Sequence, residues 1–238
     1  MHMLAPRPAA MSSHRSPEEI SLATASIQLA LANQLDADTL TCWLTRQLGC
    51  QRVAAIAADE SLADALTGLA PDLVIVDPRR ATEGLAAAVR YHRRHVHGRL
   101  LVFDARPREA VLLELLATPG VSYLTRAAGP EVLSRGLHAI LQQDQRVFDP
   151  AFAARLRRTS RGFQLADDAG GSISMLTPRE LEVMGRLGSG ESVAECARRL
   201  GLSTSTVDNH RSRLMKKLRL HKAGLLTRRA IRDGVIEP

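Results

Sequence analysis

Between about residues 27 and 149 the chain alternates short apolar runs with longer amphipathic segments, and this alternation restricts the fold more than any other feature. Two of the runs, LVIVD at 73–77 and LLVFD at 100–104, are continuously apolar up to a final aspartate. Strands that are buried on both faces of a parallel sheet have this composition. The pattern therefore predicts an α/β fold in which βα units wind a parallel sheet.

Five strands and five helices are predicted in this region. The strand candidates are 27–32, 52–57, 73–77, 100–104 and 121–125, and the helix candidates are 37–48, 61–69, 85–95, 107–117 and 130–143. Five successive units favour a (βα)5 doubly wound sheet, in which functional side chains gather beyond the carboxyl ends of the strands.

The rest of the chain divides by composition into three further segments. Residues 1–24 lack a continuous apolar stretch and are predicted to be a disordered tail before the α/β domain at 25–149. Residues 150–173 are rich in Arg and then in Asp, Gly and Ser, which predicts a linker with a helical start at 152–158. From residue 174 to 238 the apolar spacing is helical only, which predicts an all-α domain of four helices.

Helix boundary signals are frequent in this last domain. Thr177, Pro178 and Glu180 form a predicted capping box for a first helix that ends near residue 187. Gly201 is suited to end a second helix at 193–200, and helices at 206–218 and 222–233 follow. Two short helices joined by a tight turn, at 193–200 and 206–218, are typical of a helix-turn-helix.

Charge is distributed unevenly between the two domains. From residue 174 onward the chain has 13 Lys and Arg against 7 Asp and Glu, whereas the preceding 173 residues have 19 against 18. Positive charge that is concentrated in a helix-turn-helix segment indicates a polyanionic partner, and duplex DNA is the partner we expect.

Eight side chains at and after the start of the third helix are predicted to contact DNA. Hydroxyls at a helix N-terminus can bond phosphate, an asparagine can pair with adenine, and Arg or Lys can neutralise the backbone. The predicted contacts are Thr204, Ser205, Thr206, Asn209, His210, Arg213, Lys216 and Lys217. Structural roles are the alternatives at two positions, a helix cap at Thr206 and a packing group at His210.

The segments LTPRELEVM, ECARRLGLSTSTVDNH and MKKLRL resemble the DNA-binding domain of the LuxR/FixJ/NarL family of regulators. This resemblance implies that 206–217 is the recognition helix and that the last helix contributes to dimerisation, so a homodimer is expected. The chain departs from the family pattern at Asp208, where the family commonly has Lys. An acidic residue repels phosphate but can accept from a cytosine amino group, so an unusual base preference is expected.

The α/β region is similar to the receiver domains that precede such DNA-binding domains in response regulators. In that family an aspartate at the end of the third strand accepts a phosphoryl group, and Asp77 occupies this place. The resemblance also implies an acidic pair for Mg²⁺ after the first strand. Here the pair falls on Ala32 and Asn33 or on Asn33 and Gln34, and Asp36 is expected to lie too far along the chain.

Two other receiver positions also differ from the family pattern. Asp104 and Ala105 stand where the family has Thr or Ser, and Thr125 and Arg126 stand where it has Lys. These departures predict a pseudo-receiver that works without phosphorylation and that pairs through the helix at 130–143. The alternative is a response regulator phosphorylated on Asp77.

Other functions leave weaker signs in the sequence. The segment Trp43-Leu44-Thr45-Arg46 is similar to an element by which some receiver-like biofilm regulators bind cyclic di-GMP, which is a further alternative. We find no nucleophile elbow, phosphate loop or metal-ligand cluster, so neither enzymatic activity nor a cofactor is expected. Without a signal peptide or an apolar run of membrane length, a cytoplasmic location and no membrane partner are expected. RNA polymerase is a further candidate partner.

Overall fold

The structure is a computed structural model, and it describes residues 20–80, 84–95, 98–159, 162–166 and 172–237. Most of the predicted tail therefore lies outside the described residues. Residues 20–25 lead into the first strand through a turn, and Leu22 is buried in the core. Residues 20–24, which the sequence assigned to the tail, therefore lie against the α/β domain in the structure, because its core covers Leu22.

A five-stranded parallel sheet forms the centre of the first domain. Its strands are β1 (Ser26–Ala30), β2 (Arg52–Ala55), β3 (Leu73–Val76), β4 (Arg99–Asp104) and β5 (Val121–Thr125), in the spatial order β2-β1-β3-β4-β5. Ile27 of β1 lies opposite both Val53 of β2 and Leu73 of β3. The direction of winding changes between β1 and β3, so a crevice opens beyond the carboxyl ends of these two strands. The predicted α/β fold is confirmed.

Helices cover both faces of the sheet. They are α1 (Gln34–Leu48), α2 (Leu62–Ala65), α3 (Gly84–Arg94), α4 (Glu109–Leu116) and α5 (Pro130–Gln142). α1 and α5 bury their apolar sides on one face, and α2, α3 and α4 bury theirs on the other. α2 is much shorter than the predicted 61–69, and the turn after it ends at Gly68 with a φ of 74°. A glycine adopts this left-handed conformation without strain, which favours a turn over a longer helix.

The predicted linker contains secondary structure that the sequence did not indicate. It has a 3-10 turn and two antiparallel strands, at Pro150–Phe152, β6 (Leu156–Thr159) and β7 (Gly162–Leu165). The predicted helical start at 152–158 is therefore wrong. Phe152 and Leu165 pack against the core of the α/β domain, and the rings of Phe148 and Phe163 meet edge to face at 4.9 Å. Burial of these scattered apolar side chains favours a hairpin that lies on the first domain.

The described part of the last domain is all-α. Its helices are α6 (Pro178–Gly188), α7 (Val193–Leu200), α8 (Thr204–Lys217) and α9 (Leu225–Asp233). α6 packs against both α8 and α9, and α7 packs against α8. The capping box of Thr177 and Glu180 is present at the start of α6, as predicted. Among the helices of the described residues, none has both the length and the apolar composition that a membrane span needs.

Candidate nucleic-acid interface

The turn between α7 and α8 is defined by helix caps at both of its ends. Gly201 ends α7 in the left-handed conformation, with a φ of 65°. The side chain of Ser203 then accepts from the backbone N–H of Thr206 at 3.1 Å and starts α8. Because Ser203 is the cap, α8 begins two residues earlier than predicted. The two helices are thereby held at the close approach that a helix-turn-helix requires.

One side of α8 anchors the helix in the core of the domain. Val207, Leu214 and Leu218 are at most 1% exposed, and Met215 packs partly buried beside them. Intervals of seven and four residues place these side chains along one side of a helix. This apolar stripe faces the core of the domain, so the remaining side chains of α8 point outward.

The opposite side of α8 presents most of the predicted DNA contacts. Thr204, Ser205, Asn209, Arg213 and Lys216 are exposed, and Thr206 and His210 are partly exposed. Ser205, Asn209, Arg213 and Lys216 follow one another at intervals of four, four and three residues, so they lie in a row along the helix. We call these four residues the recognition row. It places a hydroxyl, an amide, a guanidinium and an ammonium side by side on one exposed face.

Hydroxyl groups surround the start of α8. The Ser203 Oγ lies 2.9 Å from the Ser205 Oγ and 2.7 Å from the Thr206 Oγ1. The first N–H groups of a helix lack partners within the helix, so hydroxyls and amides here can together bond a phosphate oxygen. Ser203 and not Thr206 is the cap, and the Thr206 hydroxyl contacts the cap side chain.

Lys217 lies apart from the recognition row. Its Nζ donates to the Glu180 Oε2 at 2.6 Å and to the Met175 carbonyl oxygen at 3.1 Å. Burial would raise the pKa of Glu180, but hydrogen bonds from Lys217 and Thr177 outweigh it and hold this pKa below its usual value. The ion pair ties the end of α8 to the start of α6. A DNA contact by Lys217, as predicted, would require this pair to open.

The acidic residue next to the recognition row is paired within its own helix. The Oδ1 of Asp208 lies 3.0 Å from a guanidinium nitrogen of Arg211, one turn further along. Both side chains are partly exposed. Arg211 therefore offsets the negative charge that the chain carries where the LuxR family commonly has Lys.

A second group of charged residues occupies the crevice of the first domain. Asp77 follows β3 directly, and its side chain has no exposed surface. Its carboxylate accepts from the backbone N–H of Arg79 at 2.8 Å, and from the guanidinium groups of Arg79 and Arg126 at 2.9 Å each. Burial would raise the pKa of Asp77, but these bonds and charges outweigh it and lower the pKa below its usual value. Asp77 is therefore an ionised carboxylate whose two oxygens are both occupied.

Asp36 also belongs to this pocket, contrary to the expectation from the sequence. The same nitrogen of Arg126 that bonds Asp77 lies 3.1 Å from the Asp36 Oδ2. α1 starts at Gln34 rather than at residue 37, because the Asn33 side chain accepts from the Asp36 N–H at 2.9 Å. An Asn cap with an acidic residue three positions later is the sequence signal that could have placed Asp36 here.

The segment that resembles a cyclic di-GMP element lies within α1. Trp43 is partly buried and packs against the core, and Leu44 is fully buried. Arg46 is exposed at the end of the same helix. Because core packing takes up much of the indole, the tryptophan is poorly placed to stack on a guanine.

Three comparisons with known proteins agree with this geometry. Residues 174–230 match the family described as bacterial regulatory proteins, luxR family. The chain is 28% identical to the nitrate/nitrite response regulator protein NarL of Escherichia coli over an alignment of 156 residues. This alignment covers 64% of this chain and 69% of that protein. It is 26% identical to the response regulator GacA of Pseudomonas protegens over an alignment of 208 residues. This alignment covers 85% of this chain and 95% of that protein.

Among solved structures, the chain is similar to an RcsB chain in a structure that contains two RcsB dimers bound to two parallel DNAs. The TM-score is 0.58 at 19% sequence identity, over 86% of this chain and 96% of the other. At this identity the likeness shows that the two chains share a fold, in which a five-stranded receiver-like sheet precedes a helical domain.

Proposed function

We propose that this chain, which is similar to LuxR-family response regulators, is a transcription regulator that reads duplex DNA through α8. The observation that carries the proposal is the recognition row, which lies exposed on a helix whose other side is anchored in the core. An α-helix fits the major groove of DNA, where an amide can pair with adenine while Arg and Lys meet phosphates.

We further propose that the chain acts as a homodimer that pairs through α5. Val132, Arg135 and Ala139 are partly or fully exposed at helical spacing on α5, so they form one accessible face. The similar RcsB structure contains dimers bound to DNA. A two-fold pair of this chain would present two copies of α8 to two half-sites, about one helical turn or a multiple of it apart.

The receiver-like domain is proposed to work without phosphorylation. Phosphoryl transfer to a receiver requires Mg²⁺, which needs carboxylate oxygens that are free to bind it. In this pocket Arg126 lies between Asp36 and Asp77, and the Arg79 guanidinium bonds both carboxylate oxygens of Asp77. Two guanidinium cations at these distances would repel a divalent ion, so the residues present do not fit a magnesium site.

Phosphorylation on Asp77 is the second candidate mechanism. The position of Asp77 directly after β3 and beside the crevice favours it, because this is the place of the phosphoacceptor in the receiver family that the sequence resembles. NarL and GacA, to which the chain is similar, are both named response regulators. The two mechanisms differ in whether a phosphoryl donor phosphorylates the chain and thereby changes its affinity for DNA.

Selection from a random library of duplexes tests both parts of the proposal. We expect the full chain to enrich a motif of two related half-sites, and to bind it equally well with and without acetyl phosphate and Mg²⁺. The intact mass of the chain should also stay unchanged after acetyl phosphate treatment, because the pocket has no place for the metal.

Two results would contradict this proposal in different ways. Failure to enrich any motif would contradict sequence-specific binding. A mass gain of one phosphoryl group that disappears in Asp77→Asn but persists in Asp64→Asn, a matched change at an exposed carboxylate, would establish the second candidate mechanism instead.

A further inference from the structure

The start of α4, in the first domain, contacts both ends of the DNA-binding domain. At the leading end, the Glu109 carboxylate accepts from the hydroxyl of Ser172 and lies 3.4 Å from the backbone nitrogen of Ser174. Arg155 of the preceding segment pairs with the same carboxylate at 2.6 Å. At the trailing end, the contacts involve Arg106 and Arg108 on one side and residues 231–237 on the other. We call the contacts at the trailing end the α4 clamp.

Arg108 is the centre of the α4 clamp. Its side chain is only 6% exposed, and its Nε donates to the Asp104 Oδ2 at 2.6 Å. Its Nη1 donates to the carboxylate of Glu237, beyond the end of α9. The Tyr123 hydroxyl accepts from the Arg108 backbone N–H at 2.9 Å and donates to Asp104 at 3.1 Å. One buried guanidinium therefore joins a carboxylate at the end of β4 to a carboxylate of the last domain.

Two further contacts fix the end of α9 against α4. Gly234 has a φ of 77°, and a Cβ atom at this position would lie 2.6 Å from the Arg108 Cβ. Only glycine fits so close an approach. The Arg106 guanidinium donates to the Ile231 carbonyl oxygen at 3.1 Å, at the end of α9 where the helix dipole favours a cation. Ala110 and Leu113 of α4 also pack against the core of the last domain.

The α4 clamp leaves the recognition row uncovered. Ser205, Asn209, Arg213 and Lys216 are all exposed while Arg108 and Glu237 are paired. The contact between the domains therefore does not block the helix that is proposed to enter the groove. It instead fixes the direction in which α8 points relative to the first domain.

We propose that Arg106, Arg108 and Glu237 are positioning residues that hold the DNA-binding domain in the orientation required for two half-sites. The inference rests on the proposed function, since it concerns how a homodimer places two copies of α8. A domain that is already fixed loses less freedom on binding than one that is free to rotate. The α4 clamp should therefore strengthen binding to paired half-sites and leave binding to a single half-site nearly unchanged.

The test uses the full chain with the changes Arg106→Gln and Glu237→Gln together. Both probes derive from the motif selected by the wild type: a duplex of roughly 40 base pairs that holds two half-sites, and a duplex with only one. We expect the double variant to bind the paired duplex about tenfold more weakly, through lost preorganisation, with little change on the single half-site. Hydrogen exchange of residues 231–237 should also become faster. Glu182→Gln, a neutralisation of an exposed carboxylate on α6, is the matched control.

The positioning role and the proposed function fail under different results of this test. Unchanged or tighter binding of the paired duplex by the double variant would overturn the positioning role, as would unchanged exchange of residues 231–237. If the wild type selects no motif, the proposed function fails, and the exchange measurement still reports whether the α4 clamp holds the two domains together.

Discussion

Replacing Asn209 with alanine is expected to weaken binding to the selected duplex by about 5-fold to 150-fold for each half-site, which corresponds to the roughly 1–3 kcal/mol of a base-specific bidentate contact. Asn209 is the exposed amide at the centre of the recognition row, between Ser205 and Arg213. Its two hydrogen-bonding groups match the two groups that adenine presents in the major groove. Equilibrium binding by the full chain measures the effect.

The pattern of the loss distinguishes base recognition from general weakening. With Asn209→Ala, duplexes changed at one base pair of each half-site should bind as well as the selected duplex, because preference at that position is gone. Gln47→Ala removes an exposed amide from α1 and serves as the control, with no expected change in affinity. An equal loss on every duplex would show that Asn209 supports the helix without reading a base.

Replacing Asp77 with alanine is expected to lower the free energy of unfolding of the first domain by about 1–3 kcal/mol, because two guanidinium groups lose a shared buried acceptor. Breaking a fully buried ion pair costs more free energy of unfolding than this. The smaller loss applies here because water partly screens the Arg79 and Arg126 side chains, which are 36% and 26% exposed. Urea denaturation of the full chain measures the change. Asp64→Ala, at an exposed carboxylate of α2, is expected to change stability little.

The stabilisation by Asp77 has a definite dependence on pH. Because the pKa of Asp77 is lowered in the folded state, its contribution is fully present above its pKa in the unfolded chain, about 4, and is lost as the pH falls toward the folded value. The difference between wild type and Asp77→Ala should therefore be constant near neutrality and shrink in acid. A variant more stable than the wild type at neutral pH would contradict a structural role for this carboxylate.

Much of the fold could be predicted because strong local signals coincided with the final packing. β3 and β4 are apolar throughout, and their observed ends differ by at most one residue from the predicted ones. β6 and β7 were missed because they are four residues long, and Arg157 and Arg158 give one of them the composition of a solvated segment. Contacts of Phe163 and Leu165 with the first domain favour this hairpin, and such contacts have no local signature.

The candidate site was predictable where helical spacing determines it. The intervals that bury Val207 and Leu214 also expose Asn209 and Arg213, so the accessible face of α8 follows from the sequence. The partner of Lys217 does not follow, because Glu180 lies 37 positions earlier and meets it only when α6 packs against α8. The pairing of Arg108 with Glu237 could not be predicted for the same reason, because the two residues are 129 positions apart.

The salt dependence of DNA binding by the full chain tests the central claim most directly. If α8 meets the sugar-phosphate backbone as proposed, the logarithm of the binding constant falls linearly with the logarithm of salt concentration, with a slope of about −0.9 for each phosphate neutralised. Arg213→Gln and Lys216→Gln should each reduce that slope by about 1 per protomer if they contact phosphate, whereas Arg46→Gln in α1 should leave it unchanged. A binding constant that does not vary with salt, or a slope that is identical in all three variants, would contradict the account.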